Sequence, residues 1–448
     1  MDQNSTLTVF LLPQLMLMAD KDVPSEMFIR QAVIIVLIPL FAFLLVAEMF
    51  RRSVSRKVSV EQKPNTNEFI HVNGRCDKEY EQVRQAFYAN LEQDWEKGGA
   101  SLSVYHKGRL VVDLWGGYAD KESNRLWQKD TLNISFSSTK AVSALCIGML
   151  VDRGHLSYDD LVIKYWPEFG KYGKDKITIQ WVLSHMAGLA YLDMPIQFED
   201  AKSNPDEIAR LLEEQRPNWT PGEFVGYHAL TYGWLLDQIV RRTDPEHRSL
   251  GEFYRQEIAS TIEGLDYHIG LPKSEAYRFI IGDTLKTSCP TVCWPRVERS
   301  PSWLRFVFQM TLNDPEIQSL EQGAVLGIGT ARSLANIFQK AIMERKFFKK
   351  DSTLRQFLTP FINKPDIVTG AVVSRGNGLM FSPFQLGQHQ FRMIGHAGVG
   401  GQNIKFDPEN ELVFCYLSNG LKCGFGDSAR TFVNLRNAIY SSVIEQTN

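Results

Sequence analysis

The chain has little cysteine, almost no net charge and no basic cluster in its main body. It contains six cysteines in 448 residues, too few for a disulfide framework in a chain of this length. Its formal net charge of −2 and the missing basic cluster do not fit a nucleic-acid-binding protein. No cysteine and histidine spacing suits zinc, and no glycine-rich loop for phosphate follows a strand. We therefore expect no metal, no cofactor and no nucleic-acid partner.

A serine and a lysine three residues apart open an apolar stretch. Ser137 and Lys140 lead into residues 141–150, and this change from polar to apolar predicts a helix that begins here. On a helix, residues three apart lie on one face, so the Ser137 hydroxyl and the Lys140 amine can meet at its mouth. A lysine amine whose pKa is lowered towards neutrality can take the proton of a serine, which makes that serine a nucleophile.

This pattern also has an ordinary interpretation. Serine and lysine are common residues, and Ser137 or Ser138 could cap the helix while Lys140 lies in solvent. The tetrad is the only Ser-x-x-Lys in the chain. A short motif is a hypothesis until its context supports it, so the rest of the sequence decides between the two interpretations.

The context resembles a known family. Ser-x-x-Lys at a helix start is the first motif of the serine β-lactamase and penicillin-binding-protein superfamily, and the chain resembles its class C, esterase-like branch over roughly residues 98–420. The similar segments, in the family's order, are GHLSYDD (154–160), WPEF (166–169), ITIQWVLSHMAGL (177–189), PGEFVGYHA (221–229) and GHAGVGG (395–401). The resemblance implies a serine hydrolase that acts through an acyl-enzyme.

Tyr227 lies in the segment that resembles the second catalytic motif. Acyl transfer needs a group that protonates the leaving atom and later activates water. We expect the charge of Lys140 to lower the pKa of the Tyr227 phenol and suit it to this work; the alternative is a tyrosine packed at a turn. Ala229 stands where many relatives have asparagine, which removes a side-chain amide that could bind a β-lactam.

The third similar segment carries a histidine where better-known relatives have lysine. The resemblance assigns substrate-binding roles to His396, Gly398, Val399 and Gly400. It places the oxyanion hole at the backbone N–H groups of Ser137 and of Val399 or Gly400. Without the surrounding glycines, His396 would be taken as a structural residue. A neutral histidine holds an anionic carboxylate less firmly than lysine does, which favours neutral ester or amide substrates.

Two look-alike motifs fall outside the family's order. Tyr-Ala-Asn at residues 88–90 lies upstream of Ser137 in a pattern typical of an amphipathic helix, so we expect Tyr88 to be a packing residue. Lys-Thr-Ser at residues 286–288 lies among serine, cysteine and proline, where a loop is expected rather than a strand. We assign neither to the site.

An apolar segment near the amino terminus lies outside the family region. Residues 31–47 are uncharged and nearly all apolar, and a helix that spans a bilayer needs about 17–25 residues. We expect a single membrane helix here. The rival interpretations are a secretory signal, although no small-x-small cleavage site follows closely, and a buried core helix. The division we predict is an N-terminal segment (1–58), a linker (59–70) and a catalytic domain (71–446).

The charges around this segment predict the side of the membrane. Four cations follow it, and two precede it among acidic residues: Arg51, Arg52, Arg56 and Lys57, against Lys21 and Arg30. By the positive-inside rule the catalytic domain would face the cytoplasm.

The resemblance implies a serine β-lactamase-like α/β fold, with an antiparallel sheet flanked by helices and an added helical lobe. Residues 99–105 and 109–115 predict a hairpin. Residues 411–417 predict a strand that neighbours the strand of His396. Helices near 77–96 and 428–444 would cover the sheet, and the lobe would occupy about 154–340. The site would lie between lobe and sheet.

Two functional classes remain open. The first is a membrane-anchored serine hydrolase that acts on small-molecule or peptide esters or amides. The second is a catalytically weak or inactive relative that serves as a binding or self-assembling module, for which a homo-oligomer is the natural form. The set Ser137, Lys140, Tyr227 and His396 favours the first class, and Ala229 leaves room for the second. The sequence does not name the substrate.

Overall fold

The computed structural model describes residues 70–279 and 312–446. The predicted membrane helix (31–47), almost all of the predicted linker and the look-alike motif at 286–288 lie outside these residues. Within the two described ranges, no helix combines the length and the apolar character needed to cross a bilayer.

Runs of strands and runs of helices follow one another along the chain. The strands are β1 Val72–Cys76, β2 Gly99–His106, β3 Arg109–Asp120, β4 Arg125–Leu126, β5 Asn133–Ile134, β6 Tyr267–Ile269, β7 Gly327–Gly329, β8 Ile362–Pro365, β9 Val372–Gly376, β10 Leu379–Leu386, β11 His389–Ala397, β12 Val399–Gly400, β13 Asn403–Asp407, β14 Leu412–Ser418 and β15 Lys422–Phe425. The helices are α1 Glu81–Glu92, α2 Thr139–Arg153, α3 Ile179–Leu183, α4 Phe198–Ser203, α5 Pro205–Glu214, α6 Thr231–Thr243, α7 Leu250–Glu257, α8 Pro315–Gln318, α9 Ala331–Phe338, α10 Asp351–Phe357 and α11 Arg430–Glu445.

A ten-stranded sheet organises the described residues. Its strand order is β1-β3-β2-β14-β13-β11-β10-β9-β8, with β4 paired to β3, and neighbouring strands are antiparallel. The predicted hairpin is confirmed as β2 and β3, with His106 opposite Arg109 at its turn. Two small sheets, β5-β7-β6 and β12-β15, lie beside the main one.

Strand β14 is apolar throughout because both of its faces are buried. Every second side chain from Leu412 packs into a core shared with α1 and α11. The alternate side chains from Val413 pack into the core of the helical lobe. A strand buried on both faces has no polar face, so the run lacks the alternation of a half-exposed strand.

Helices α1 and α11 cover one face of the sheet, as predicted from the sequence. Phe432 of α11 stacks on Phe414 of β14 with ring centroids 6.0 Å apart, and Phe87 of α1 is buried in the same core. The prediction that Tyr88 packs was wrong, because its side chain is 41% exposed. The helix turns Phe87 inward and leaves the adjacent Tyr88 on the solvent side.

Helix α2 runs through the core that joins the helical lobe to the sheet. Every residue from Thr139 to Leu150 is buried, and a helix that is apolar on all sides belongs in a protein core. The helix ends at Gly154, whose φ of +81° is the left-handed conformation that favours glycine after a helix. This burial encloses the first turn of α2, where Lys140 lies.

The prediction that the strand at residues 411–417 lies next to the strand of His396 was wrong. Strand β14 does not pair with β11, because β13 lies between them and pairs with both. The sequence of β13, Asn-Ile-Lys-Phe-Asp, does not predict a buried strand, because Lys405 is a charged residue at a buried position. Its amine is satisfied by Asp427, 2.7 Å away.

Candidate active site

Ser137 lies in a tight turn directly before α2. The turn, Phe136–Ser138, is a 3₁₀ helix, and Phe136 has a φ of +45°. A non-glycine residue in this region carries strain of about 1–3 kcal/mol, which folded proteins keep mostly at functional sites. The Ser138 hydroxyl donates a hydrogen bond to the His396 carbonyl oxygen at 3.0 Å. The turn that carries Ser137 is therefore tied to strand β11.

Lys140 is completely buried in the first turn of α2. Its Nζ donates hydrogen bonds to the carbonyl oxygens of Ala229 at 2.8 Å and Ala324 at 3.0 Å. Burial lowers the pKa of Lys140 well below its ordinary value, and the positive charge of Arg375 lowers it further. The helix amino terminus adds to this effect, because its partial positive charge disfavours a cation.

The contacts of Lys140 match the valence of a neutral amine. A neutral amine has two N–H bonds and one lone pair, whereas an ammonium group has three N–H bonds and no acceptor. The two carbonyl oxygens use both N–H bonds, so the lone pair stays available to accept a proton. This arrangement suits a general base, and lysine pKa values lowered by burial serve this purpose in enzymes.

Tyr227 lies beside Lys140, as the resemblance implied. The Lys140 Nζ is 4.8 Å from the centroid of the Tyr227 ring, and the Ser137 side chain is close enough to the Tyr227 hydroxyl to affect its pKa. Burial raises the pKa of Tyr227, and the Ser137 side chain and the charge of Arg375 only partly oppose this. The expectation of a lowered pKa was wrong, because desolvation outweighs nearby positive charge. Tyr227 therefore stays protonated and can donate.

His396 is buried at the end of β11. Its Nδ1 lies 2.7 Å from the Ala397 carbonyl oxygen, so Nδ1 carries the proton of a neutral ring and Nε2 is left as an acceptor. Burial lowers the pKa of His396 well below its ordinary value, which agrees with the neutral histidine expected from the sequence. Its ring centroid is 6.3 Å from that of Tyr227.

The glycine-rich residues after His396 bring β11 close to the nucleophile turn. A Cβ on Gly398 would lie 2.6 Å from the carbonyl oxygen of Ser135, so only glycine fits there. The Gly398 N–H already donates to the Gln402 carbonyl oxygen at 2.7 Å, which leaves Val399 and Gly400 as candidates for the second oxyanion donor. Val399 is 37% exposed. The oxyanion role of these residues stays a prediction.

Two buried histidines near Tyr227 were not assigned a role from the sequence. The ring centroid of His185 is 4.8 Å from that of Tyr227, and its Nδ1 accepts the His228 N–H at 3.1 Å. His228 uses its own ring to bond the Leu189 N–H and the Gly226 carbonyl. Burial lowers the pKa of both rings, that of His228 to about 4. Both lie within family-like segments, which was the available signal.

An ion pair behind Tyr227 was missed as well. The Arg375 guanidinium binds the Asp366 carboxylate at 2.7 Å, and both side chains are buried. No motif covers this part of the chain, and Asp366 is 139 residues away from Tyr227, to which it bonds. No local pattern could have identified the pair.

Comparison with known proteins identifies the family and agrees with the fold. The beta-lactamase family matches residues 87–437, and this chain belongs to that family. Esterase/beta-lactamase LipL of Mycobacterium tuberculosis (strain ATCC 25618 / H37Rv) is 28% identical over 386 residues, which cover 82% of this chain and 86% of LipL.

Solved structures give the same result. The crystal structure of a family VIII carboxylesterase has a TM-score of 0.72 and 30% identity, and the match covers 83% of this chain and 100% of that one. EstA from Arthrobacter nitroguajacolicus Rue61a has a TM-score of 0.72 and 28% identity, over 84% and 100% of the two chains. The predicted serine β-lactamase-like fold is confirmed, and the protein is a serine hydrolase.

Proposed function

We propose that the protein hydrolyses small neutral esters through an acyl-enzyme on Ser137. Ser137 Oγ attacks the ester carbonyl carbon, and its proton passes to Lys140 Nζ. The oxyanion that forms is stabilised by the backbone N–H groups of Ser137 and of Val399 or Gly400. The tetrahedral intermediate then collapses, and the bond to the alcohol oxygen breaks.

Tyr227 would carry the proton between Lys140 and the leaving group. Its hydroxyl donates a proton to the departing alcohol oxygen and regains one from the Lys140 ammonium. Water then attacks the acyl-enzyme by the reverse route, losing its proton to the same pair, and releases the acid and free Ser137. One ester and one water give one acid and one alcohol.

The observation that carries this proposal is the hydrogen bonding of Lys140. A buried lysine paired with a carboxylate would be a cation and could not accept a proton. Lys140 bonds two carbonyl oxygens instead, and its Nζ lies 4.8 Å from the ring centroid of Tyr227, whose pKa burial raises. The three groups together form a nucleophile, a base and a proton carrier.

Neutral esters are the preferred substrate class for two reasons. A neutral His396 lies where many relatives have a lysine that would hold a carboxylate, and Ala229 offers its carbonyl to Lys140 but has no side-chain amide for a β-lactam. The name of LipL describes that protein as both an esterase and a β-lactamase, and the carboxylesterase is named for ester hydrolysis, so esters are common to the two names.

A fluorophosphonate probe and a substrate comparison test the proposal. We expect the probe to label the wild type but not Ser137→Ala. We also expect kcat/KM on a p-nitrophenyl ester of a short acid to exceed that on a penicillin or a cephalosporin. Labelling of Ser137→Ala would overturn the nucleophile assignment. Efficient penicillin hydrolysis with negligible esterase activity would overturn the substrate class.

We further propose that residues 31–47 anchor the enzyme in a membrane as a single helix, with the catalytic domain on the cytoplasmic side. The length and apolar character of the run and the cations after it support this. The full-length protein should then stay in the membrane pellet after a carbonate wash, and a chain starting near Ser59 should be soluble and folded. Release of the intact full-length chain by carbonate would exclude the span.

A further inference from the structure

The β8–β9 hairpin places a buried ion pair directly behind Tyr227. Asp366 follows β8, and Arg375 lies in β9. Their side chains are 0% and 4% exposed, and Arg375 binds Asp366 at 2.7 Å. Neither residue lies in any of the family-like segments.

Asp366 fixes the backbone that carries Tyr227. While one carboxylate oxygen binds Arg375, the other accepts the Tyr227 N–H at 3.2 Å and the N–H groups of Val368 and Thr369 at 3.0 and 2.9 Å. The Ile367 N–H also donates to the Val225 carbonyl oxygen at 2.9 Å. The tip of the hairpin is thereby joined to the segment that presents Tyr227.

Arg375 fixes the ring of the same tyrosine. Its guanidinium carbon lies 5.5 Å from the centroid of the Tyr227 ring, within the range of a cation–π contact. The ion pair with Asp366 and this contact together place the guanidinium against the tyrosine ring.

We propose that Asp366 and Arg375 are positioning residues of the catalytic site. Asp366 holds the backbone of Tyr227, and Arg375 holds its ring and places a permanent positive charge against the same ring that Lys140 contacts. This inference rests on the function proposed above, in which Tyr227 relays protons for Ser137. It gives the hairpin a role in turnover.

The charge of Arg375 has a measurable consequence. Arginine does not lose its proton in proteins, so its charge disfavours the ammonium form of Lys140 at every working pH and lowers the pKa of that lysine. The titratable and charged groups around Lys140 are Tyr227, Tyr232, His185, His228, His396 and Arg375, with Asp366 as the counter-charge of Arg375. Burial keeps both tyrosines protonated and the three histidines neutral, so Arg375 is the fixed cation of this set.

Replacing both charges at once tests the positioning role in the full-length protein. In Asp366→Asn/Arg375→Met we expect kcat on a p-nitrophenyl ester to fall about 100-fold, the scale reported for small misplacements of catalytic groups, with KM nearly unchanged. We also expect the pH at which fluorophosphonate labelling reaches half its maximum to rise, because the cation that lowers the pKa of Lys140 has gone. Arg375→Lys should keep the wild-type midpoint, because the cation remains.

A second buried ion pair supplies the matched control. Arg248 and Asp244 lie in the helical lobe, bonded at 2.8 Å with side chains 9% and 1% exposed. Asp244→Asn/Arg248→Met should lower the melting temperature while kcat and the labelling midpoint of the folded protein stay at wild-type values. A merely structural role for Asp366 and Arg375 would give the same result at both pairs.

The outcomes separate this inference from the proposed function. A folded Asp366→Asn/Arg375→Met protein with wild-type kcat and midpoint overturns the positioning role. If that variant does not fold, Asp366→Asn alone decides: removing the counter-charge should move the midpoint to lower pH, and an unmoved midpoint overturns the inference. Labelling of Ser137→Ala would instead overturn the proposed function.

Discussion

Two buried lysines, Lys140 and Lys174, differ in the number of their hydrogen-bond acceptors and in the helix end that they lie against. Both are fully buried, and both donate only to backbone carbonyl oxygens in the hydrogen bonds that the structure shows. Lys140 has two such acceptors, whereas Lys174 has three, at 3.1, 2.7 and 2.5 Å. Two acceptors match a neutral amine with a free lone pair, and three match an ammonium group.

The helix ends reinforce this difference. Lys140 lies in the first turn of α2, where the partial positive charge of the helix disfavours a cation. Lys174 bonds carbonyl oxygens at the carboxyl end of α5, where a cation is favoured. Burial lowers the pKa of Lys174, and the nearby Glu214 opposes this, so that the pKa is about 8. At Lys140 burial also lowers the pKa, and Arg375 adds to the lowering. Burial alone therefore does not make a lysine a base; its partners decide.

The largest effect should follow from removing the nucleophile or the base. Ser137→Ala and Lys140→Ala should each lower kcat on a p-nitrophenyl ester by about 10³-fold or more, and the double variant should lose little beyond either one, because residues that act as a unit are non-additive. Steady-state kinetics of the three variants measure this. If the losses of kcat in the two single variants multiply in the double variant, the two residues act independently, which would contradict a shared role in one step.

Lys174→Met should show the opposite behaviour. The change leaves three buried carbonyl oxygens without their donor and should lower the free energy of unfolding by about 1–3 kcal/mol. Because Lys174 takes no part in the reaction, kcat of the folded protein should stay at the wild-type value. Urea unfolding and ester kinetics on the same samples check both parts. A large loss of kcat with unchanged stability would erase the distinction between the two lysines.

The smallest effect is expected at the substrate-binding end of the site. His396→Lys restores a permanent charge and should improve binding of a carboxylate-bearing ester by about 1 kcal/mol, or about five-fold in KM. The KM of a neutral ester is the control and should not fall. An equal change for both esters would mean that residue 396 does not face the carboxylate position.

The sequence carried enough information for the elements with local signals. The apolar run after Ser137 predicted α2, the turn at residues 106–108 predicted the hairpin, and family-like segments identified Tyr227 and His396. The features that were missed depend on distant partners. Asp366 meets Tyr227 across 139 residues, and β13 pairs with β11 while its buried Lys405 is matched by the distant Asp427.

Ionisation could not be predicted from residue types either. The sequence suggested a lowered pKa for Tyr227, yet its burial reverses the direction. Lys140 and Lys174 look alike in the sequence, and only the number and position of their acceptors in the folded chain separate a base from a structural cation.

The most direct test of a neutral Lys140 is the rate at which a fluorophosphonate labels Ser137 as a function of pH. The base must be unprotonated, so labelling should be fast above the pKa of Lys140 and should be lost as the pH falls through it. We expect this midpoint well below 10.5, the ordinary value for lysine, and we expect Lys140→Ala to abolish the pH-dependent phase, while Lys174→Met leaves it in place. A midpoint near the ordinary lysine value, or undiminished labelling in Lys140→Ala, would contradict the assignment of Lys140 as the base.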